Sequence, residues 1–178
     1  MLREYYPYEY VESVFVIDYQ KLRDMGIRGV IFDIDNTLVP HGDDATPEAE
    51  ALFKTVHRAG LKTVLLSNND SERVERFIRD IDTPYVCDAD KPAPEGYLKA
   101  LAALGMEKDE VVFIGDQTFS DVRGANACGI KSILVKYFGY YTERRIGVRR
   151  RIERVVLWCY RHSKKYCHRL GDIVREEP

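Results

Sequence analysis

Two aspartates separated by one residue end an apolar, β-branched run, Val30-Ile31-Phe32-Asp33-Ile34-Asp35-Asn36-Thr37-Leu38. Inside a sheet these carboxylates would be costly unpaired charges. At the carboxyl end of a strand they can share a divalent cation and face a ligand, and a magnesium-assisted phosphate site fits. Taken alone, the string has a plainer reading, in which Asp33 and Asp35 cap a strand-to-helix turn together with Asn36.

Three further stretches bear on the choice. Val64-Leu65-Leu66-Ser67-Asn68-Asn69 ends an apolar run with the Ser67 hydroxyl and the Asn68 amide, which suit phosphate oxygens and equally suit a helix N-cap. Asp90-Lys91-Pro92-Ala93-Pro94 places a lysine on a loop stiffened by two prolines. Phosphoryl transfer needs a cation against the charge of the equatorial oxygens, although a merely solvated lysine would look the same. In Val111-Val112-Phe113-Ile114-Gly115-Asp116, a strand again ends in a carboxylate, with Asp121 five residues later. Asp116 is a natural metal ligand.

The elements that must position these groups follow from the pattern between residues 29 and 136. Short β-branched runs alternate there with longer mixed segments, which predicts an α/β fold with a parallel sheet and helices on both faces. Strands are expected at Gly29–Ile34, Lys62–Ser67, Tyr85–Cys87, Val111–Gly115 and Ser132–Lys136. Helices are expected at Pro47–Ala59, Glu72–Ile81, Pro94–Leu104 and Ser120–Ala127, several opened by Pro or closed by Gly. The chemically interesting residues therefore fall at the carboxyl ends of strands, where open α/β sheets bind ligands. Only 29 residues lie between Thr37 and Ser67 and 23 between Ser67 and Lys91. A helix and a strand consume them, so the site is expected to be capless and open, favouring a large substrate that itself excludes water. The tyrosine-rich segment 1–28, with Val14-Phe15-Val16-Ile17, reads as an edge strand or a brace.

The chain has 178 residues, 45% hydrophobic and 31% charged, with ordinary Gly and Pro usage. This fits one catalytic domain, 1–139, with an appendage, 140–178, and excludes collagenous and wholly disordered classes. No apolar run is long enough to span a membrane, and the acidic, tyrosine-rich start does not resemble a signal peptide. Cys87, Cys128, Cys159 and Cys167 form no CxxC pair, so reduced thiols in a cytoplasmic setting are expected and a zinc site has little support. The net charge of −2 conceals an asymmetry: residues 1–139 carry 16 Lys and Arg against 24 Asp and Glu, whereas 140–178 carry 11 against 5. From Val148, apolar residues recur at Ile152, Val155, Cys159, Tyr166, Leu170 and Ile173, with Arg150, Arg154, Arg161, Lys164 and Lys165 on the other side and Leu157 among the basic residues. This predicts a basic amphipathic helix over 148–170 suited to an anionic membrane surface, with Trp158 and Tyr160 at the interface. Docking of the stripe on its own domain, its pairing with another copy of the chain, or nucleic acid as the polyanion are the alternatives.

Taken in order, the four stretches resemble the haloacid dehalogenase (HAD) superfamily of phosphatases over residues 29–136. More narrowly, Ile17-Asp18 through Leu38, Lys91-Pro92-Ala93-Pro94, Gly115-Asp116-Gln117 and the tail from Tyr141-Thr142 to Glu153-Arg154 resemble the YqeG-type group of subclass IIIA, which is related to phosphatidylglycerophosphate phosphatases. Ser120 and Ala125 stand where Thr and Gly are expected in that group. The resemblance implies a Rossmann-like fold and a Mg2+-dependent phosphomonoester hydrolase working through an aspartyl-phosphate. On the matching residues it implies Asp33 as nucleophile and Asp35 as general acid and base. Asp33, the backbone carbonyl of Asp35 and Asp116 would hold the metal, Asp121 would orient the ligands or Lys91, and Thr37, Ser67, Asn68 and Lys91 would hold the phosphoryl group. It further implies phosphatidylglycerophosphate as substrate, at the inner face of the cell membrane. A phosphoprotein, a nucleic acid end, a small phosphomonoester, or a noncatalytic module that binds RNA or ribosomes are the competing readings.

Overall fold

The computed structural model describes residues 2–136 and 148–175, with the side chains of residues 149 and 150 excepted. The Tyr141-Thr142 part of the resemblance and the Arg150 side chain lie outside the described residues. The apolar runs become β2 (Gly29–Phe32), β3 (Lys62–Leu66), β4 (Tyr85–Val86), β5 (Val111–Gly115) and β6 (Lys131–Val135), joined at one edge by β1 (Glu9–Val11). All pairings are parallel, in the order β1-β6-β5-β2-β3-β4. From β2 the chain winds outward through β3 and β4, then returns to the other side of β2 with β5 and β6. The order reverses between β2 and β5, and connections leaving these two strands diverge, opening a crevice at their carboxyl ends.

Alternation along the strands divides the core into two layers. Val30, Phe32, Leu65, Val112, Ile114 and Ile133 point to one face, where α1 (Tyr19–Asp24), α2 (Pro47–Arg58) and α3 (Ser71–Phe77) cover them with Leu22, Phe53, Val56 and Phe77. Ile31, Val64, Leu66 and Phe113 point to the other face, under α4 (Pro94–Leu104) and α5 (Arg123–Ala127), which contribute Tyr97, Ala100, Leu104 and Ala125. Each Val, Leu, Ile or Phe among them contributes about 1.5–3 kcal/mol on leaving water. The helices start where their caps dictate. Thr46 Oγ1 accepts the Ala49 N–H at 3.1 Å ahead of α2, and an Asp70 carboxylate oxygen accepts that of Arg73 at 2.9 Å ahead of α3. Gly105, at φ 66°, stops α4 in the left-handed conformation.

Several expectations are modified. The edge strand is Glu9–Val11, whereas Val14–Val16 forms a 3-10 turn capped by Ser13. Val14 and Ile17 are both fully buried, a spacing of three that suits a turn lying on the domain and not an alternating strand. A π-helical turn, Thr118–Val122, precedes α5 and takes up the first part of the helix expected from Ser120. The basic helix, α6 (Val148–Arg161), ends at Arg161 and does not extend to 170. Leu170 and Ile173 lie beyond it and enter the main core, and Val174 bridges antiparallel to Ile17. The face of α6 that packs down carries Glu153, Val156, Leu157 and Tyr160, so Leu157 is covered by Val122 and Leu134 and does not join the basic face. All four cysteines are free thiols. Among the described residues no helix is long and apolar enough to cross a membrane.

Close packing lies under the crevice. Tyr97 is fully buried against Phe113, and its hydroxyl donates to the carbonyls of Ser120 and Asp121 at 3.0 and 3.2 Å. Gly124 lies flat on the Tyr97 ring, and a Cβ there would collide with three of its atoms. Gly124→Ala is expected to destabilise the fold by about 1–3 kcal/mol in urea unfolding, because the ring has no room to move. Unchanged stability would show that the ring relaxes freely.

Candidate active site

The crevice between β2 and β5 gathers the residues singled out in the sequence. Asp33 continues β2, its N–H donating to the Ile114 carbonyl at 2.9 Å, and Asp116 follows Gly115 at the end of β5. The π-helical turn after β5 brings back Asp121, so Asp33, Asp116 and Asp121 each present a carboxylate oxygen within 4.8 Å of the others, all three buried. Gly115 permits this approach, since a Cβ there would stand 2.5 Å from the Asp121 carboxylate.

Lys91 enters the cluster from the loop after β4. Its Nζ lies 2.6 Å from Asp33 Oδ1 and 2.8 Å from Asp121 Oδ1, and the side chain is only 4% exposed. Asn68 holds the lysine's backbone, accepting the Lys91 N–H on Oδ1 at 2.7 Å and donating from Nδ2 to the Lys91 carbonyl at 3.4 Å. Thr37 Oγ1 donates to Asp33 Oδ2 at 3.0 Å. Ser67 Oγ accepts the N–H and the side-chain amide of Asn69 at 3.1 and 3.0 Å. In this arrangement Asn68 and Ser67 fix the loops, while Thr37 and Lys91 touch the cluster.

Asp35 lies apart from the three. One oxygen accepts the Gly42 N–H and Arg73 Nη2, both at 3.0 Å, and the other accepts Asn69 Nδ2 at 2.6 Å. Its side chain is therefore not a member of the carboxylate cluster, which leaves to it only the backbone carbonyl as a ligand. Burial pushes the Asp35 carboxyl up, but Gly42, Asn69 and Arg73 together outweigh it and hold it below the usual carboxylate range. The sequence reading did not find Asn69 or Arg73. Asn69 was adjacent to a noted pair, whereas Arg73, in the first turn of α3, carries no signal that distinguishes it from any solvated helix arginine.

Among the described residues, the three buried carboxylates share the neighbourhood of the buried Lys91 ammonium group, which contacts two of them. Burial is the largest influence on Asp33 and pushes it up; Lys91 pulls it back, Asp121 adds to the rise, and the carboxyl settles at about 6. Burial alone would lower Lys91, but Asp121 and Asp33 outweigh it and hold the ammonium group above the ordinary lysine range. Burial thus raises Asp33, whereas the two carboxylates raise Lys91. A hard divalent cation suits three clustered carboxylates, and an all-oxygen donor set suits Mg2+ or Mn2+ better than zinc.

The sign of the pH dependence follows. Because Asp33 is raised above its unfolded value of 3.8, it favours the fold in its protonated form, and that contribution is lost as pH rises through about 6. A bound cation competes with this proton. The gain in melting temperature on adding Mg2+ is therefore expected to be small at pH 5 and to grow through pH 6 to a plateau near 7.5, measured by differential scanning calorimetry. An equal gain at pH 5 and 7.5 would contradict the arrangement.

Comparison with known proteins agrees with this geometry. The family model described as haloacid dehalogenase-like hydrolase matches residues 40–129. The "Probable phosphatase YqeG" of Bacillus subtilis is 35% identical over 137 residues, covering 76% of this chain and 80% of that protein. The "Phosphatidylglycerophosphate phosphatase 1, chloroplastic" of Chlamydomonas reinhardtii is 27% identical over 130 residues, covering 67% of this chain but 48% of that protein. Among solved structures, the fold resembles the cobalt-bound form of the deoxy-D-mannose-octulosonate 8-phosphate phosphatase from Haemophilus influenzae, with a TM-score of 0.51, 19% identity and 78% and 90% of the two chains covered. With its carboxylate cluster at the switch point of a parallel sheet, the chain belongs to the haloacid dehalogenase-like hydrolases and is a phosphatase of that family.

Proposed function

We propose that this phosphatase is Mg2+-dependent, works through an aspartyl-phosphate on Asp33, and acts on phosphatidylglycerophosphate at a membrane surface, yielding phosphatidylglycerol. The observation that carries the reaction type is the Lys91 ammonium group bridging Asp33 and Asp121 beside Asp116. The cation, held by Asp33, the Asp35 carbonyl and Asp116, would offset the repulsion between a carboxylate nucleophile and a phosphate dianion. Asp121, paired with Lys91, keeps the ammonium group aimed at the site.

The chain's own residues account for the remaining steps. A carboxylate oxygen of Asp33 forms a bond to phosphorus as the ester P–O bond breaks, and Lys91 balances charge on the equatorial oxygens. Asp35 protonates the departing alkoxide, then takes a proton from the water that attacks the aspartyl-phosphate, releasing phosphate and restoring Asp33. Arg73 and Asn69 keep Asp35 ionised at rest, the form needed for the second half. Donating in the first half requires Asp35 to take up a proton and exchange Arg73 for the substrate oxygen. Thr37 steadies Asp33 until attack.

Support for a lipid substrate is of three kinds. The connections that follow β2, β3 and β4 on the site side, residues 33–46, 67–70 and 87–93, contain no inserted domain. A basic helix packs beside the site. A relative carries a phosphatidylglycerophosphate phosphatase name. A location at the inner face of the cell membrane would suit all three. Phosphate release should be fastest from phosphatidylglycerophosphate in anionic vesicles when compared with soluble phosphomonoesters, phosphopeptides and nucleic acid ends. Asp33→Asn should lower turnover at least 1,000-fold with the melting temperature intact. Faster release from a soluble ester would remove the lipid reading, and turnover by Asp33→Asn at the normal rate would remove the nucleophile.

A further inference from the structure

The apolar residues of α6 divide between two faces. Val156, Leu157 and Tyr160, with Glu153, are buried on the domain, whereas Val148, Ile152, Val155 and Trp158 are exposed to 73%, 49%, 61% and 62%. At 100° per residue the second set spans a stripe of about a third of a turn on the side away from the domain. Arg151 falls within this stripe and Arg154 just beyond its margin, and with Val155 and Trp158 they line a shallow depression. A helix whose outward side pairs bare branched aliphatics and an exposed indole with guanidinium groups is suited to a surface that is apolar just below a layer of anions. Phospholipid headgroups offer phosphate to the arginines, and the acyl boundary receives the indole and aliphatic side chains.

The inward face explains why occupancy of this surface matters to the site. Glu153 Oε1, on a residue 3% exposed, accepts the Thr118 N–H at 2.9 Å. Thr118 lies in the turn between Asp116 and Asp121, and Leu157 packs on Val122 just beyond it. One helix thus carries an outward surface and anchors the loop that supplies two of the three clustered carboxylates.

We infer that the outward face of α6, formed by Val148, Ile152, Val155 and Trp158 with Arg151 and Arg154, docks on an anionic phospholipid bilayer and holds the catalytic loop at that surface. The inference deepens the proposal of a membrane-borne substrate and rests on it. Trp158 is the chain's one tryptophan, so its fluorescence reports the surface directly. With the full chain and vesicles of phosphatidylcholine containing 30% phosphatidylglycerol, Trp158 emission should shift to the blue and be quenched by brominated acyl chains, with no change for phosphatidylcholine alone. Arg151→Glu with Arg154→Glu, and separately Val155→Asp, should each weaken vesicle binding at least tenfold while hydrolysis of p-nitrophenyl phosphate is unchanged.

Absence of any shift with anionic vesicles would overturn the inference, as would variants that bind like the parent. A dimer in sedimentation that Val155→Asp dissolves, or RNA binding that needs the two arginines, would overturn it if vesicles leave Trp158 unmoved. The vesicles carry no phosphomonoester, so the result is independent of turnover. Binding without hydrolysis of phosphatidylglycerophosphate removes the substrate reading and upholds the docking face, and hydrolysis without binding does the reverse.

Discussion

The structure is organised around the concentration of negative charge at the crevice. Asp33, Asp116 and Asp121 are each removed from water, within 4.8 Å of one another, and Lys91 contacts two of them. In a medium of low polarity such a cluster is unfavourable unless cations or hydrogen-bond donors compensate it. Three clustered carboxylates are consistent with a divalent-ion site, and on the proposed reading the ion together with Lys91 would receive a phosphoryl group. On that reading, affinity for metal, nucleophilicity and anion binding would share one origin.

The scaffold contributes rigidity where that charge would otherwise scatter. Parallel strands whose order reverses between β2 and β5 put Asp33 and Asp116 at adjacent strand ends. Gly115 lets the Asp121 carboxylate lie over the backbone, and Tyr97 ties the carbonyls of residues 120 and 121 to α4. Asn68 grips Lys91 by its backbone, leaving the ammonium end to the carboxylates. On the far side, Glu153 of α6 secures the same loop. The loops that carry the charged groups are thus tied down by hydrogen bonds that involve the main chain.

Much of this was legible in the sequence, for a physical reason. Val30–Phe32 and Val111–Ile114 are apolar on both faces, which marks interior parallel strands, and the polar residue that ends each run must emerge at a strand terminus. The partners of Asp35 were not legible. Arg73 reaches it across 38 positions, and nothing in a helix-turn pattern tells such an arginine from a solvated one. The rotation of α6 was equally hidden. Its apolar residues occupy two faces, and which face packs down is decided by what the domain offers, here Val122, Leu134 and Tyr6. Periodicity selected the stripe of Val148, Ile152 and Val155, which the structure leaves outside.

The account stands on a cation belonging among these carboxylates. Crystals grown with Mn2+ and measured at an absorption edge of manganese test this directly. An anomalous peak bonded to oxygens of both Asp33 and Asp116, with Lys91 Nζ still against Asp121, is the expected result. A map with no peak in the crevice, or Lys91 swung out to solvent when the metal binds, would contradict it.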